Sequence, residues 1–363
     1  MIPPIEDEIY RLISDFFQLI DFEAREGGYF FTFLHMKAPF EEIKESLEKR
    51  GYYLFLRKRN GENLGMIVKR KPETPESPLL PLILLILTFF TTTWAGYNYS
   101  RGLVEMGYLK NVWIGALSFS LSLLLILGSH EMGHKIASIK SKVISSGPFF
   151  IPVPPFILPL GTLGAVIRMK SPLPDKNAAI RLGASGPITG FLVSGIVLYF
   201  GIRNSFPVDI TAFVDKGPLF FFGEPLLFKI LKGTFTHLSP GSNLLLHPLA
   251  FSGWVGLFVT ALNLIPVGQL DGGHILRALL GPVNFRRASA FIIGFLFIMG
   301  IKFWEGWILW AILGIFFSLA GNPGSLNELE EVKGKEKIVA FFTLIIFILS
   351  FMPVPIKVVS SLP

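Results

Sequence analysis

From residue 79 onward, long apolar runs alternate with short polar segments, whereas residues 1–70 alternate on a much shorter period. The runs cover 79–98, 113–138, 179–202, 249–270, 286–301, 304–320 and 337–357. Most approach the roughly 20 residues that a helix needs to cross a bilayer. The fifth and sixth are short and closely joined, so the pattern predicts a polytopic α-helical membrane protein of about six to seven spans. The N-terminal stretch has a different grammar. In Pro39–Arg50, Phe40, Ile43 and Leu47 share a helical face, Glu45 stands four before Lys49, and Gly51 can end the helix. Tyr29–Leu34 suits a strand, and Tyr53–Arg59 and Leu64–Arg70 flank Asn60-Gly61, a pair favoured in hairpins. A small α+β soluble domain over 1–70 follows, then a proline-rich linker, KPETPESP (71–78), and a membrane domain over 79–363. No internal repeat is evident, which weighs against an inverted-repeat transporter.

Composition sharpens this picture. Hydrophobic residues make up 51% of the 363 and charged residues 16%, against about 25% charged in an average soluble domain. Residues 1–78 carry 12 Lys/Arg against 14 Asp/Glu, so the membrane part is strongly basic within a net charge of +7. The segment after the second run holds Lys140, Lys142, Arg168, Lys170 and Lys176 with Asp175 as its only acid, and the one after the fourth holds Arg277, Arg286 and Arg287. Basic loops face the cytoplasm, which puts the N-terminal domain inside and 203–247 outside, while 321–336 is mixed in charge and adds nothing. The first 25 residues lack a basic start and a long apolar run, so no cleavable signal is expected. A basic pI suggests nucleic acid, but no basic patch with interleaved aromatics stands out in the soluble part, and no nucleic-acid partner is expected. With no cysteine, disulfides and thiolate metal sites are excluded, and a transition metal must be held by His and carboxylate.

The second run supplies such groups in LGSHEMGHKIASIK. His130 and His134 are four apart and share a helical face, as two ligands of a tetrahedral zinc require. Glu131 is placed to take a proton from a metal-activated water, and Gly133 leaves the backbone side uncrowded. Polar packing in a bundle is the alternative, but ionisable residues within a span are costly and functional by default. Catalytic zinc takes a third protein ligand. Asp271, at the cytoplasmic end of the fourth run in NLIPVGQLDGGH, is the best candidate, at a depth matching the His pair, and His274 is a ligand alternative or a supporting partner. His247 opens the fourth run as an interfacial side chain, and His35 and His237 lie outside the runs.

HEMGH in an apolar run, followed by Asn263, Pro266, Asp271 and Gly272 in the pattern N-x-x-P-x-x-x-x-D-G, resembles the site-2 protease family of intramembrane metalloproteases. The resemblance covers about 115–275, including GTLGAVIRMKSPLPDKNAAIRLGASGPITGF (161–191), and marks a catalytic core of about 113–280. It implies one zinc (Zn2+) per chain held by His130, His134 and Asp271, Glu131 as general base, and Asn263 as a clamp on the scissile carbonyl or its oxyanion. The alternative for Asn263 is a hydrogen bond that fixes the break at Pro266. The implied substrate is a transmembrane protein cut within the lipid bilayer, in a multi-pass protein expected in the cell membrane of a prokaryote, with the site opening to the cytoplasm. An ion or metal transporter using intramembrane His and Asp, and an inactive binder of membrane partners, are the competing classes. The proline-rich GPFFIPVPPFILPLG (147–161) cannot be a regular helix. It reads either as a re-entrant or hairpin element whose strand edge holds an unwound substrate, or as an interfacial loop. Gly186 and Gly190 read as small residues that let membrane helices approach closely.

Overall fold

The computed structural model describes residues 4–70, 77, 79–209, 219–236, 242–322 and 324–359. Of the expected linker 71–78 only Ser77 is among them, and His237 lies outside them. The N-terminal unit runs α1 (Pro4–Phe16), β1 (Phe17–Arg25), β2 (Gly28–Met36), α2 (Phe40–Lys49), β3 (Tyr52–Arg59) and β4 (Glu62–Lys69). Its core joins Ile9 and Ile13 of α1, Ile43 and Leu47 of α2, and Phe31, Phe33, Leu54, Leu56 and Ile67 from one face of the sheet. The expected helix, strand and hairpin are present. Asn60 and Gly61 both take positive φ, 51° and 89°, the twist that a two-residue hairpin turn demands.

The apolar part follows as α3 (Leu79–Glu105), α4 (Val112–Lys140), β5 (Phe149–Pro152), β6 (Thr162–Val166), β7 (Leu173–Asp175), α5 (Lys176–Arg203), β8 (Phe206–Asp209), β9 (Leu219–Phe222), α6 (Leu226–Phe235), β10 (Ser242–Leu245), α7 (Pro248–Asn263), α8 (Asp271–Lys302), α9 (Gly306–Leu319), β11 (Ser325–Asn327), α10 (Gly334–Ser350) and β12 (Ile356–Val359). Among the described residues, α3, α4, α5 and α8 are long and apolar enough to cross a membrane. The helices α7, α9 and α10, of 16, 14 and 17 residues, fall short of the usual spanning length.

Helix starts are specified locally. The Asn111 side chain accepts from the Trp113 N–H at 2.8 Å to begin α4, and Asp175 accepts from Ala178 at 2.7 Å to begin α5. Inside the bundle, hydroxyls pair across helices: Thr92 with Ser120 at 2.6 Å and Ser122 with Ser252 at 2.5 Å. Such bonds join helices where apolar burial gives no preference over lipid. The proline-rich segment supplies the first strand and the connection of the antiparallel hairpin β5–β6, with Phe149 opposite Val166. Its Gly161 carbonyl accepts from Thr91 of α3 at 2.6 Å.

Two expectations need correction. The break expected at Pro266 goes further than a loosening of the fourth run, 249–270: α7 stops at Asn263, and Asp271, expected at that run's end, is the first residue of α8. Pro266 removes a backbone donor and Gly268 takes φ +55°, so the chain reverses inside a continuous apolar stretch. The segment from 271 to the fifth run is helical too, and α8 is interrupted only at Gly281 (φ 73°), ahead of Pro282. The N-terminal sheet also does not end with the N-terminal unit. Its order is β1-β2-β4-β3-β11-β7, with β11 parallel to both β3 and β7.

His247 caps α7, its Nδ1 accepting from the Leu249 N–H at 3.1 Å. Burial pushes its imidazole below its ordinary value of 6.5. A folded value below the unfolded one means that this group's contribution is present above about pH 6.5 and is lost as pH falls towards the folded value. His247→Asn keeps a capping acceptor without a titration. It is expected to flatten the acid-side fall in Tm between about pH 7 and about pH 5; an unchanged slope would place that fall elsewhere.

Candidate metal centre and active site

The centre begins on α4. His130 and His134 sit one turn apart, both buried, with ring centroids 4.9 Å apart and Nε2 atoms 3.1 Å apart. The Nδ1 of His134 lies 2.9 Å from the Leu182 carbonyl of α5. A carbonyl only accepts, so Nδ1 carries the proton there and the Nε2 lone pair faces the centre. The rings fit because α5 has no side chains opposite them. A Cβ on Gly186 would stand 2.1 Å from His134 Nε2, and one on Gly190 2.9 Å from His130 Nδ1. The stripe read as helix packing thus clears the imidazoles themselves. Close packing falls instead to Gly133, where a Cβ would meet the Ser185 carbonyl at 2.5 Å. Nearby, Thr189 Oγ1 donates to the Ser129 carbonyl at 2.9 Å, tying α5 to α4 one residue before His130.

The reversal between α7 and α8 delivers the third group. Asp271 opens α8, where the helix dipole favours a carboxylate. Its Oδ2 lies 3.3 Å from His130 Nε2 and 3.2 Å from His134 Nε2. The tight return needs Gly272, since a Cβ there would lie 2.1 Å from the Leu264 carbonyl oxygen.

These three residues form a candidate metal-holding group. Their donor atoms make a triangle with edges of 3.1, 3.2 and 3.3 Å. Tetrahedral zinc with N and O ligands at 2.0–2.1 Å separates neighbouring donors by about 3.3 Å, so the donor set matches one face of such a site. Glu131, also buried, is the next residue on α4, and the backbone N–H of Ile167, just past β6, acts on its carboxylate. The Asn263 amide, at the last residue of α7, is 3.4 Å from His130 Nε2. All five expected residues therefore converge, drawn from α4, α7 and α8.

Among the described residues, the other histidines do not join them. His274 is half-buried on α8 and lines a small cavity with Lys176, Arg277, Asn322 and Glu328. His35 is exposed on β2. The Leu182 carbonyl and the Ile167 N–H are backbone groups, which residue identity does not reveal.

The model of peptidase family M50 matches residues 118–301, just over half of the chain, from the second turn of α4 to the end of α8. The chain belongs to peptidase family M50. The M50 region holds all five converging residues, in agreement with the resemblance read from the two motifs. Among curated relatives, the chain is 30% identical over 243 residues to the probable zinc metalloprotease EGY1, chloroplastic, of Arabidopsis thaliana, covering 66% of this chain and 43% of that protein. It is 36% identical over 168 residues to the EGY1 of Oryza sativa subsp. japonica, covering 46% and 28%. The chain thus spans less than half the length of these relatives. A site-2 protease structure from Methanocaldococcus jannaschii matches with 19% identity and a TM-score of 0.27, over 74% of this chain and 86% of that one.

Gly186 gives the M50 centre a direct test. Gly186→Ala places a methyl against His134 Nε2, so the purified variant is expected to lose at least about tenfold in zinc affinity. Wild-type affinity would show that α5 does not confine the ring.

Proposed function

We propose that this chain is an intramembrane zinc metalloprotease that hydrolyses peptide bonds in or near transmembrane helices of substrate proteins. The observation that carries the reading is the 3.1–3.3 Å donor triangle of His130, His134 and Asp271, with Glu131 beside it and Asn263 at its rim. The M50 membership and the zinc metalloprotease names of the relatives support the same conclusion.

The roles divide as follows. His130, His134 and Asp271 hold one zinc, and the Leu182 carbonyl fixes the His134 tautomer. Zinc in this position supplies Lewis-acid activation of water and of the scissile carbonyl. Glu131 is the general base: its carboxylate takes the proton of the attacking water and delivers it to the leaving amine. The Ile167 N–H steadies the carboxylate during this exchange. Asn263 presents an amide donor to the oxygen on which negative charge develops. A substrate helix must unwind to expose its peptide bond, and an edge of the β5–β6 hairpin, adjoining Ile167, offers an extended partner for the freed strand.

Depth and sidedness fit this chemistry. His134 is six residues from Lys140, the end of α4, or about 9 Å along the axis. The following loop is basic, so the site opens near the cytoplasmic face and draws its water there. The N-terminal unit, about 1–70, lies on that side, joined through the 71–78 linker to a membrane domain over 79–363 with its catalytic core at about 113–280. The shorter helices α7, α9 and α10 complete about six to seven spans in the cell membrane of a prokaryote.

Two variants test the assignment with a membrane-reconstituted substrate. Glu131→Gln is expected to retain one zinc per chain while cleavage falls by about 10³-fold. Persistent cleavage, or cation flux through liposomes in its place, contradicts the reading. Asn263→Ala is expected to retain zinc and lower kcat by about 10²–10³-fold; a loss of zinc instead would assign Asn263 to the metal rather than to the substrate.

A further inference from the structure

The segment 321–336, uninformative by charge pattern, wraps the elements that carry the metal ligands. At its start, Gln269 Nε2 donates to the Gly321 carbonyl at 2.6 Å, and Asn322 Nδ2 donates to the Gly268 carbonyl at 3.2 Å. Both bonds hold the reversal that ends at Asp271. In its middle, β11 pairs with β3 of the N-terminal unit and with β7, which leads directly into α5. At its end, the Lys333 N–H donates to Asn177 Oδ1 at 2.8 Å, and Glu336 accepts from Arg181 at 2.8 Å. Arg181 adjoins Leu182, whose carbonyl orients His134. One short strap therefore grips the approach to Asp271 and the α5 turns behind His134.

Glu328 is its keystone. The carboxylate, with its side chain 9% exposed, is shared by two arginines: Oε1 takes Arg277 Nη2 at 3.1 Å and Oε2 takes Arg57 Nε at 3.3 Å. Arg277 stands on α8 six residues beyond Asp271, about 9 Å along the same rigid helix. Arg57 belongs to β3 and also donates to the Ser325 carbonyl at 2.5 Å. Partly buried ion pairs of this kind add little net stability, but removing one partner takes away charge that offset the other. Without the Glu328 charge, α8 loses its ionic link to the sheet, and the like charges of Arg57 and Arg277 remain across the junction.

We propose that Glu328 is a positioning residue for Asp271, and that through it the N-terminal unit forms a structural part of the metal centre. The proposal rests on the zinc reading above. Asp271 reaches the histidines only when α8 keeps its place along its axis, and the Arg57–Glu328–Arg277 link sets that place from outside the bundle.

The test uses the full chain in detergent, comparing wild type with Glu328→Gln, Arg57→Gln, Asn322→Ala and, as control, Glu224→Gln, which breaks an ion pair with Lys232 of α6. Zinc affinity is read by chelator competition, and ligand geometry by the visible bands of the Co2+-loaded protein. Glu328→Gln is expected to weaken zinc about tenfold, within the range for outer-shell partners. It is also expected to alter the cobalt bands and lower kcat with KM unchanged. Asn322→Ala, which frees the reversal, is expected to move the same quantities in the same direction, and Arg57→Gln, which breaks the link from the N-terminal side, carries the test if Glu328→Gln does not fold. The control is expected to match wild type. Wild-type affinity and cobalt bands in the strap variants overturn the proposal. A wild-type chain that holds no zinc overturns the underlying reading instead, so the two failures are distinct.

Discussion

A carboxylate within 3.3 Å of two imidazole nitrogens, inside a bundle of apolar helices, is the constraint on which the structure turns. Placing ionisable groups there is costly unless they are paired or bind a cation. The surroundings converge on them accordingly: glycines opposite the rings, a carbonyl behind one imidazole, and a helix start beneath the carboxylate. The α7–α8 reversal follows from the same need. A continuous helix would carry Asp271 about 12 Å beyond Asn263, whereas the reversal lets both residues reach His130.

Much of this was legible in the chain. The His pair announces itself through its four-residue spacing within an apolar run, and the Asn263–Asp271 motif supplies the remaining groups. The hairpin at Asn60-Gly61 and the helix ending before Gly51 follow from local turn and helix-stop chemistry. What hid was non-local. Pro266 marks a break in the run over 249–270, but nothing in the run shows that the chain reverses there and that Asp271 opens a new helix. The strands β7 and β11 have three residues each, too few to show alternation, and they matter only because distant segments meet. Gly186 and Gly190 display the spacing of a packing stripe; that they face imidazoles depends on the rotation of α5 about its own axis, which spacing does not encode.

The strap over 321–336 joins these levels. Long-range pairing extends the N-terminal sheet into the bundle, and the largely covered Glu328 carboxylate ties that sheet to the helix bearing Asp271. Membrane helices packed by small residues and a few hydroxyl pairs can slide at modest cost. A centre that needs its donors placed within a few tenths of an ångström therefore gains from a brace outside the bundle. The N-terminal unit thereby acquires a role in the architecture of the site without contributing a ligand.

The central claim is the identity of the three ligands, and X-ray absorption at the zinc edge of the purified full chain addresses it most directly. The expected result is one zinc per chain, an inner shell of N and O donors at about 2.0–2.1 Å, outer-shell scattering from two imidazoles, and loss of one oxygen donor in Asp271→Ala. A shell with fewer than two imidazoles, or one unchanged by Asp271→Ala, would contradict it.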